Sequence, residues 1–163
     1  MTAFLDSGQA KVTLLDGHYT LNLDSKGRMN IPAKYKEVLE TKYNDVLFIT
    51  TKSNCLTAYP QSVWDVLVNQ VRQLSSLKKE VSEFKRLFLG SAQEVTIKHG
   101  RILIPANLRS HAGIAKAAVL VGVDDTFEIW SKDSWIEFFQ DRQESLDDLG
   151  DKLADLGDKL PNI

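Results

Sequence analysis

The sequence predicts an α+β fold that is mainly β and is built from two copies of one unit. A core of G-R-x-x-I-P-A begins at Gly27 and recurs at Gly100, 73 positions later. Around each copy, apolar and polar residues alternate with the period of two that is typical of half-buried strands. With 163 residues, 43% of them hydrophobic, the chain can bury one good core or two small ones that share an interface. We therefore expect the two copies to pack together.

The first copy predicts two β-hairpins, each followed by a helix. Aspartate, serine and glycine after the first strand are turn residues, and Pro32 ends the second strand because proline cannot donate to a sheet ladder. The predicted order is a strand at 19–23, a turn at 24–27, a strand at 28–31, a helix at 33–43, strands at 46–50 and 55–59, and a helix from 61.

The second copy repeats this order after a helical connector. The predicted elements are a strand at 94–97, a turn at 98–100, strands at 101–104, 117–123 and 126–130, and helices at 107–112 and 131–139. Trp64 and Trp135 fall at loosely corresponding helix positions, where core packing is the expected role. The connector carries one apolar stripe and is expected to seal the two copies together.

The chain divides into five predicted segments. These are an N-terminal extension at 1–16, a first repeat at 17–65, a helical connector at 66–90, a second repeat at 91–139 and an acidic, mobile tail at 140–163. The tail holds seven acidic and three basic residues. Its leucines follow heptad spacing, which leaves an amphipathic helix as the alternative. Gly150 and Gly157 each weaken such a helix by about 1 kcal/mol, so the mobile tail is preferred.

Composition limits the location and the partners. The formal net charge of −2 argues against a uniformly basic coat, although the residues before the tail sum to +2. A single cysteine, Cys55, excludes an internal disulfide and suits a reducing cytosol. The N-terminus lacks the pattern of a signal peptide, and no apolar run approaches the roughly 20 residues of a membrane helix. The expectation is a cytoplasmic protein with no membrane partner.

The sequence gives little support to an enzyme. His18, His99 and His111 show no metal-ligand spacing with Cys55, and neither a phosphate-binding glycine loop nor a nucleophile elbow is present. We therefore expect no catalytic residues, no metal, no cofactor and no small-molecule substrate.

Several ordered motifs, taken together, resemble a known family. They are N-L-D-S-K-G-R-x-x-I-P-A from Asn22, C-L-x-x-Y-P, F-K-R-x-F-L-G-S-A, G-R-I-L-I-P-A, L-R-x-H-A-G, V-L-V-G and F-E-I-W, which ends at Trp130. In this order they resemble the MraZ family, bacterial regulators associated with the division and cell-wall gene cluster. That family is built from two SpoVT/AbrB-type swapped-hairpin repeats, and the resemblance covers residues 17–139.

The resemblance implies a fold and a function. The two hairpins would interleave into one small barrel, an AbrB-like pseudo-dimer within one chain, with flanking helices. The function implied is a sequence-specific, nucleoid-associated transcriptional regulator that represses its own gene cluster by binding short direct repeats in double-stranded promoter DNA. A ring-like homo-oligomer is implied as well. A non-catalytic barrel used only for self-assembly or protein binding stays open as the alternative.

Matching the family motifs residue by residue implies a set of DNA-binding cations. They are Arg28, Lys26, Arg101, Lys98, Lys34, Lys36 and Arg109, with Asp24, Gly27 and Gly100 organising the turns. Arginine suits base and phosphate recognition through its planar fork of donors. Two alternatives stay open: Arg28 pairs with Asp24 and fixes its own turn, or the helix lysines are plain solvated charges.

The second turn departs from the family pattern. The first turn reads D-x-x-G-R, whereas Ile97 stands four places before Arg101. Either the aspartate is replaced or one residue is deleted, and the alternation of Val95 and Ile97 favours the deletion. The second turn is therefore expected to be tighter and to lack a carboxylate, which ranks Arg28 above Arg101.

Overall fold

The computed structural model describes residues 14–142 and 145–157 of the chain. Its contacts divide the chain into two compact units, Met1–Lys132 and Asp133–Ile163. The strands are β1 (Gly17–Asn22), β2 (Arg28–Asn30), β3 (Val46–Lys52), β4 (Cys55–Pro60), β5 (Gln93–Thr96), β6 (Arg101–Leu103), β7 (Ala117–Val123) and β8 (Thr126–Ser131). The helices are α1 (Ala33–Lys42), α2 (Gln61–Arg72), α3 (Lys79–Phe88), α4 (Ala106–Ala112), α5 (Lys132–Arg142) and α6 (Leu146–Asp155). The predicted α+β class and the order of elements are confirmed.

The two repeats are interleaved in one antiparallel sheet. Its six strands follow the order β1-β7-β8-β4-β3-β5, while β2 and β6 form a separate pair. The first strand of each repeat lies beside the hairpin of the other repeat, because β1 pairs with β7 and β5 pairs with β3. Exchanging the equivalent strands of the two repeats reproduces this order, so the arrangement has an internal two-fold pseudosymmetry.

The predicted closure into a barrel is not confirmed. In the part of the chain that the structure describes, β1 and β5 form the two ends of the six-stranded sheet. The strands β2 and β6 are three residues long and pair with each other, so they do not join those ends through a continuous ladder. The sheet is therefore open.

The predicted pairing within the two G-R hairpins is wrong. The strands β1 and β2 approach each other only at the turn, where the N–H of Asp24 donates to the Arg28 carbonyl, and beyond it β2 pairs with β6. The second hairpin behaves in the same way, because its two segments share an isolated bridge between Lys98, just after β5, and Arg101 of β6. The exchange places Met29 and Ile102, each 1% exposed, side by side in one core. Apolar burial that neither hairpin achieves alone favours this arrangement.

The main core is shared by both repeats and extends into the predicted N-terminal extension. Leu15 is fully buried, and its N–H donates to the Asp124 carbonyl at 2.7 Å. The hydroxyl of Tyr35 donates to the Gly17 carbonyl at 2.9 Å. Each fully buried large apolar side chain contributes about 1.5–3 kcal/mol, so Leu15 belongs to the fold although the pattern around it is weak. Residues 1–13 of the predicted extension lie outside the described residues.

The connector packs mainly on the first repeat and does not seal the two copies as expected. Phe88 of α3 stacks on Trp64 of α2 with ring centroids 5.4 Å apart, and Phe48 stacks on the same indole at 5.4 Å. Tyr59 completes this aromatic cluster. Trp64 is 7% exposed, which confirms its predicted core role. The contact between the copies comes instead from the main core, where apolar residues of both G-R segments meet.

The second unit is helical in its described residues. In α5, the Trp135 ring lies 5.9 Å from the Phe138 ring and 5.7 Å from the Phe139 ring. The amphipathic helix that was the alternative for the tail is present as α6, in which Leu149 and Leu153 are spaced by one turn. The mobility of the tail stays a prediction, and Leu160 lies outside the described residues. Within the ranges 14–142 and 145–157, every helix is too short or too polar to cross a bilayer.

Candidate nucleic-acid interface

The two G-R turns differ in length by one residue. In the first, the Asp24 carbonyl accepts from the N–H of Gly27 at 3.0 Å, and the Asp24 N–H donates to the Arg28 carbonyl at 2.8 Å. In the second, Lys98 and Arg101 exchange both backbone hydrogen bonds, at 2.9 and 3.0 Å. His99 and Gly100 lie between them with φ of 54° and 70°, the signature of a two-residue type I′ turn. The predicted deletion and the tighter second turn are confirmed.

Asp24 organises the first turn through three hydrogen bonds. One carboxylate oxygen accepts from the backbone N–H groups of Lys26 and Arg28, each at 2.9 Å. The other accepts from Nε of Arg28 at 2.8 Å. These bonds favour the ionised carboxylate and lower the pKa of Asp24 to about 2. The Arg28 N–H is the largest cause; partial loss of water opposes it, and the guanidinium and the Lys26 N–H reinforce it.

Two arginines from different repeats converge on this carboxylate. Nη1 of Arg101 lies 4.0 Å from the same Asp24 oxygen that Nε of Arg28 contacts. The predicted alternative pairing of Arg28 with Asp24 is therefore present. This pairing leaves Arg28 able to bind a further group, because the side-chain contact with Asp24 is made by Nε and the side chain is 39% exposed. The arrangement holds two cationic forks side by side, with room for a further anionic or carbonyl acceptor.

The strands β2 and β6 form a short ribbon with an inner and an outer face. The inner residues Met29 and Ile102 are buried and paired with each other. Alternation places the side chains of the neighbouring positions on the outer face. Those four residues are Arg28 opposite Leu103 and Asn30 opposite Arg101. The ribbon ends on reciprocal hydrogen bonds, from the N–H of Ile31 to the Gly100 carbonyl at 2.8 Å and from Ile104 to Gly27 at 3.0 Å.

Two helix cations reach the turn of the opposite repeat. The guanidinium of Arg109 covers Gly27 so closely that a Cβ there would lie 2.7 Å from Cζ. Nε of Arg109 also donates to the Ile104 carbonyl at 3.0 Å. Lys36 occupies the equivalent place, with Nζ 3.8 Å from where a Cβ on Gly100 would stand. The pseudosymmetry therefore brings Lys36 and Arg109 to equivalent places beside the two turn glycines.

Lys34 is directed elsewhere. Its Nζ donates to the Asp16 carbonyl at 2.7 Å, which ties the start of α1 to the segment before β1. Lys26 and Lys98 are exposed residues of the two turns. The structure thus brings six of the seven predicted cations to the turns, the ribbon or its two helix neighbours, and gives Lys34 a contact with the chain itself.

An open groove of about 580 Å³ runs along the ribbon. Its lining includes Arg28, Lys98, His99, Arg101 and Leu103. Asn30 and Leu103 also lie on the outer face of the ribbon and were not among the predicted site residues. Their position two places after each arginine was the available signal, because alternate residues of a strand share a face. In residues 14–142 and 145–157, no group of three or more histidine, cysteine, aspartate or glutamate side chains is arranged to hold a metal ion.

Comparison with known proteins identifies the family. The model of the family described as "MraZ protein, putative antitoxin-like" matches the chain twice, at residues 14–87 and 88–156. The chain belongs to the MraZ family. The double match of the MraZ model also confirms the internal repeat, with one copy on each side of the end of α3.

Curated MraZ relatives align with most of the chain. The protein named "Transcriptional regulator MraZ" from Leuconostoc citreum is 42% identical over 138 residues, which cover 83% of this chain and 93% of that protein. The protein of the same name from Thermoanaerobacter sp. is 42% identical over 146 residues and is covered to 99%. The one from Ligilactobacillus salivarius is 39% identical over 138 residues and is covered to 93%.

Proposed function

We propose that this protein is a sequence-specific DNA-binding transcriptional regulator. The observation that carries the proposal is the convergence of Arg28 and Arg101, one from each repeat, on the outer face of one exposed ribbon. The names of the MraZ relatives support regulation of transcription. By resemblance, we further propose that it acts in the nucleoid as a repressor of its own division and cell-wall gene cluster and binds short direct repeats.

The dimensions of the ribbon suit the major groove of DNA. That groove is about 12 Å wide and admits a two-stranded β-ribbon, and arginine forms bidentate hydrogen bonds to guanine O6 and N7. In the proposed complex the outer face enters the groove, and Arg28 and Arg101 reach base edges. Lys26 and Lys98 in the flanking turns contact phosphates, and Arg109 and Lys36 add positive charge beside the turn glycines. The phosphate contacts position the protein and the arginines supply specificity.

The net charge of −2 does not oppose this function. Counterions are released where cations meet phosphates, so the local charge of the ribbon matters more than the sum over the chain. Asp24 is an acidic residue of the first turn, beside the ribbon, and both arginines partly neutralise it.

A gel-shift titration with three variants separates DNA contact from turn maintenance. The duplex is the region upstream of the protein's own gene. Arg28→Ala removes the proposed base contact and should weaken binding about tenfold or more. Asp24→Asn retains an oxygen that accepts the two backbone N–H groups and removes the negative charge, so binding should stay near that of the wild type or strengthen. Arg72→Ala, on the exposed end of α2, is the matched control and should bind like the wild type.

The three variants also define the contradicting result. If Arg28 only fixes its own turn, Asp24→Asn and Arg28→Ala should lose affinity to the same extent. If Arg28→Ala binds as tightly as the wild type at physiological salt, the proposed site is wrong. A salt titration of the wild type adds a second criterion, since each phosphate contact contributes about −0.9 to the slope of log affinity against log salt. A flat slope would favour the alternative of a non-catalytic protein for self-assembly or protein binding.

We also propose that the chain assembles into a ring-like homo-oligomer. Helix α3 supports self-association, because Phe84 and Leu87 are 47% and 67% exposed on its surface. Both residues line an apolar groove of about 500 Å³. Apolar residues grouped in this way typically mark interaction surfaces. Light scattering should therefore give a mass several times 18.3 kDa, and a clean monomer would exclude the ring.

A further inference from the structure

The ribbon has an internal two-fold pseudosymmetry that its side chains break. In the register of β2 and β6, Met29 pairs with Ile102, so the pseudo-two-fold axis passes through this central pair. The repeat offset of 73 makes Arg28 equivalent to Arg101 and Asn30 equivalent to Leu103. With identical copies, both ends of the outer face would carry the same two side chains. A symmetric ribbon of that kind would prefer a palindromic DNA element, because the symmetry of a protein is mirrored in the sequence that it binds.

The two ends of the outer face instead differ from each other at one equivalent position, which is Asn30 at one end and Leu103 at the other. Asn30 is exposed and lies across from Arg101, whereas Leu103 lies across from Arg28. Leu103 is 51% exposed although its neighbours Ile102 and Ile104 are 1% and 0% exposed. Its side chain therefore lines the groove and does not belong to the core. One end pairs an arginine with an amide, and the other pairs an arginine with an apolar side chain.

We propose that Asn30 and Leu103 are specificity-determining residues that give the DNA element a direction. This inference rests on the proposed function, since it concerns the same ribbon in the major groove. An asparagine amide recognises adenine by bidentate hydrogen bonds to N6 and N7, and an apolar side chain contacts the thymine methyl group. With Arg28 and Arg101 each on a guanine, the Asn30 end reads guanine with adenine and the Leu103 end reads guanine with thymine. The element is therefore non-palindromic.

Selection from a random duplex library tests this directly. The wild type, Asn30→Leu, Leu103→Asn and the double exchange N30L/L103N are each incubated with the library, and the bound duplexes are sequenced. The wild type should enrich a non-palindromic element. Leu103→Asn should change the preferred base from thymine to adenine at one position. Asn30→Leu should change it from adenine to thymine at the other. In each case the preference for the new base over the old one should be about tenfold. The double exchange should enrich the wild-type element again, because a half-turn of the duplex about the pseudo-two-fold axis brings each base pair to the other end of the ribbon.

Two further measurements keep the interpretation specific. Both residues are exposed, so thermal melting of each variant should match the wild type, and the slope of affinity against salt should not change because neither residue contacts phosphate. Light scattering of Leu103→Asn checks self-association. A change in mass without a change in base preference would make Leu103 an assembly contact and would overturn its assignment.

The remaining outcomes separate the inference from the proposed function. If the wild type enriches no sequence, DNA recognition itself fails. If the wild type enriches an element and both single variants enrich the same one, the ribbon binds DNA but Asn30 and Leu103 do not determine specificity. A palindromic wild-type element would likewise overturn the inference and leave the function intact.

Discussion

Asp24 is the residue on which the geometry of the ribbon depends most directly. It holds the backbone of its own turn and attracts an arginine from each repeat. Its carboxylate stays ionised into more acidic solution than an ordinary aspartate does, because the pKa is lowered from 3.8 to about 2. Both arginines therefore lie beside a negative charge in the free protein, which Asp24→Asn removes while keeping an oxygen for the two backbone N–H groups.

The pKa of Asp24 leads to a prediction for acid stability. A carboxylate with a lower pKa in the folded state stabilises the fold fully above the unfolded value of 3.8, and this contribution is lost as the pH falls towards about 2. Thermal melts followed by circular dichroism between pH 5 and pH 2 should show the wild type more stable than Asp24→Asn at pH 5. The difference should shrink towards pH 2. The exposed carboxylate of Asp65 provides the control, and Asp65→Asn should not reproduce this narrowing. A constant difference between wild type and Asp24→Asn would contradict the role assigned to the ionised form.

At the scale of elements, the local sequence pattern predicted the strands and helices better than it predicted which strands pair with each other. The hairpins β3–β4 and β7–β8 were predicted correctly because an apolar run, a short turn and an alternating strand are adjacent in the sequence. The G-R strands carry the same local signals, yet β2 pairs with β6 across 73 positions. Only the shared core distinguishes these two arrangements, and that information is not local.

The candidate site shows the same division. Arg28 and Arg101 could be predicted because the repeat marks both, and the shorter second turn could be predicted from a missing residue. The resemblance implied that the two hairpins interleave, but the contact of both arginines with one carboxylate also depends on the register of β2 and β6, which no local pattern gives. Lys34 was assigned to DNA for its charge and its place on a short helix, but its bond to the Asp16 carbonyl is a tertiary contact.

The close packing of the Leu15 segment against β7 can be tested at Gly122, with Gly113 as the comparison. Gly122 has an ordinary φ, but a Cβ there would stand 1.5 Å from the Leu15 carbonyl oxygen. Gly122→Ala must therefore displace the segment that carries Leu15 and should destabilise the fold by about 3 kcal/mol or more, at the upper end of the cost of overpacking, because the clash is with backbone. Gly113 ends α4 with φ of +66° and has open space around it. Gly113→Ala should cost only about 1–2 kcal/mol, for the left-handed backbone alone. Urea unfolding measures both, and equal losses would contradict the close contact of Gly122 with Leu15.

At the scale of the whole molecule, neither repeat completes its own fold. The partner of β1 is β7 and the partner of β2 is β6, so each repeat lacks strands that the other supplies. Covalent linkage keeps the two copies at high effective concentration, which favours their interleaving.

Separating the repeats should therefore abolish folding of the monomeric halves. A fragment of residues 1–90 should lack a cooperative thermal transition as a monomer and should gain one on association with residues 91–163 or with itself. Circular dichroism and analytical ultracentrifugation on the same samples measure folding and mass together. A cooperatively folded monomer of either half would show that the exchange of strands is dispensable.

The reciprocal bonds between Ile31 and Gly100 and between Ile104 and Gly27 join the copies as two identical chains would be joined in a symmetric dimer. In such a dimer one gene encodes both halves, so every mutation alters both ends of the ribbon at once. Here each half has its own codons. A mutation at the codon for Asn30 leaves the codon for Leu103 untouched, and the two ends can diverge under selection one base pair at a time.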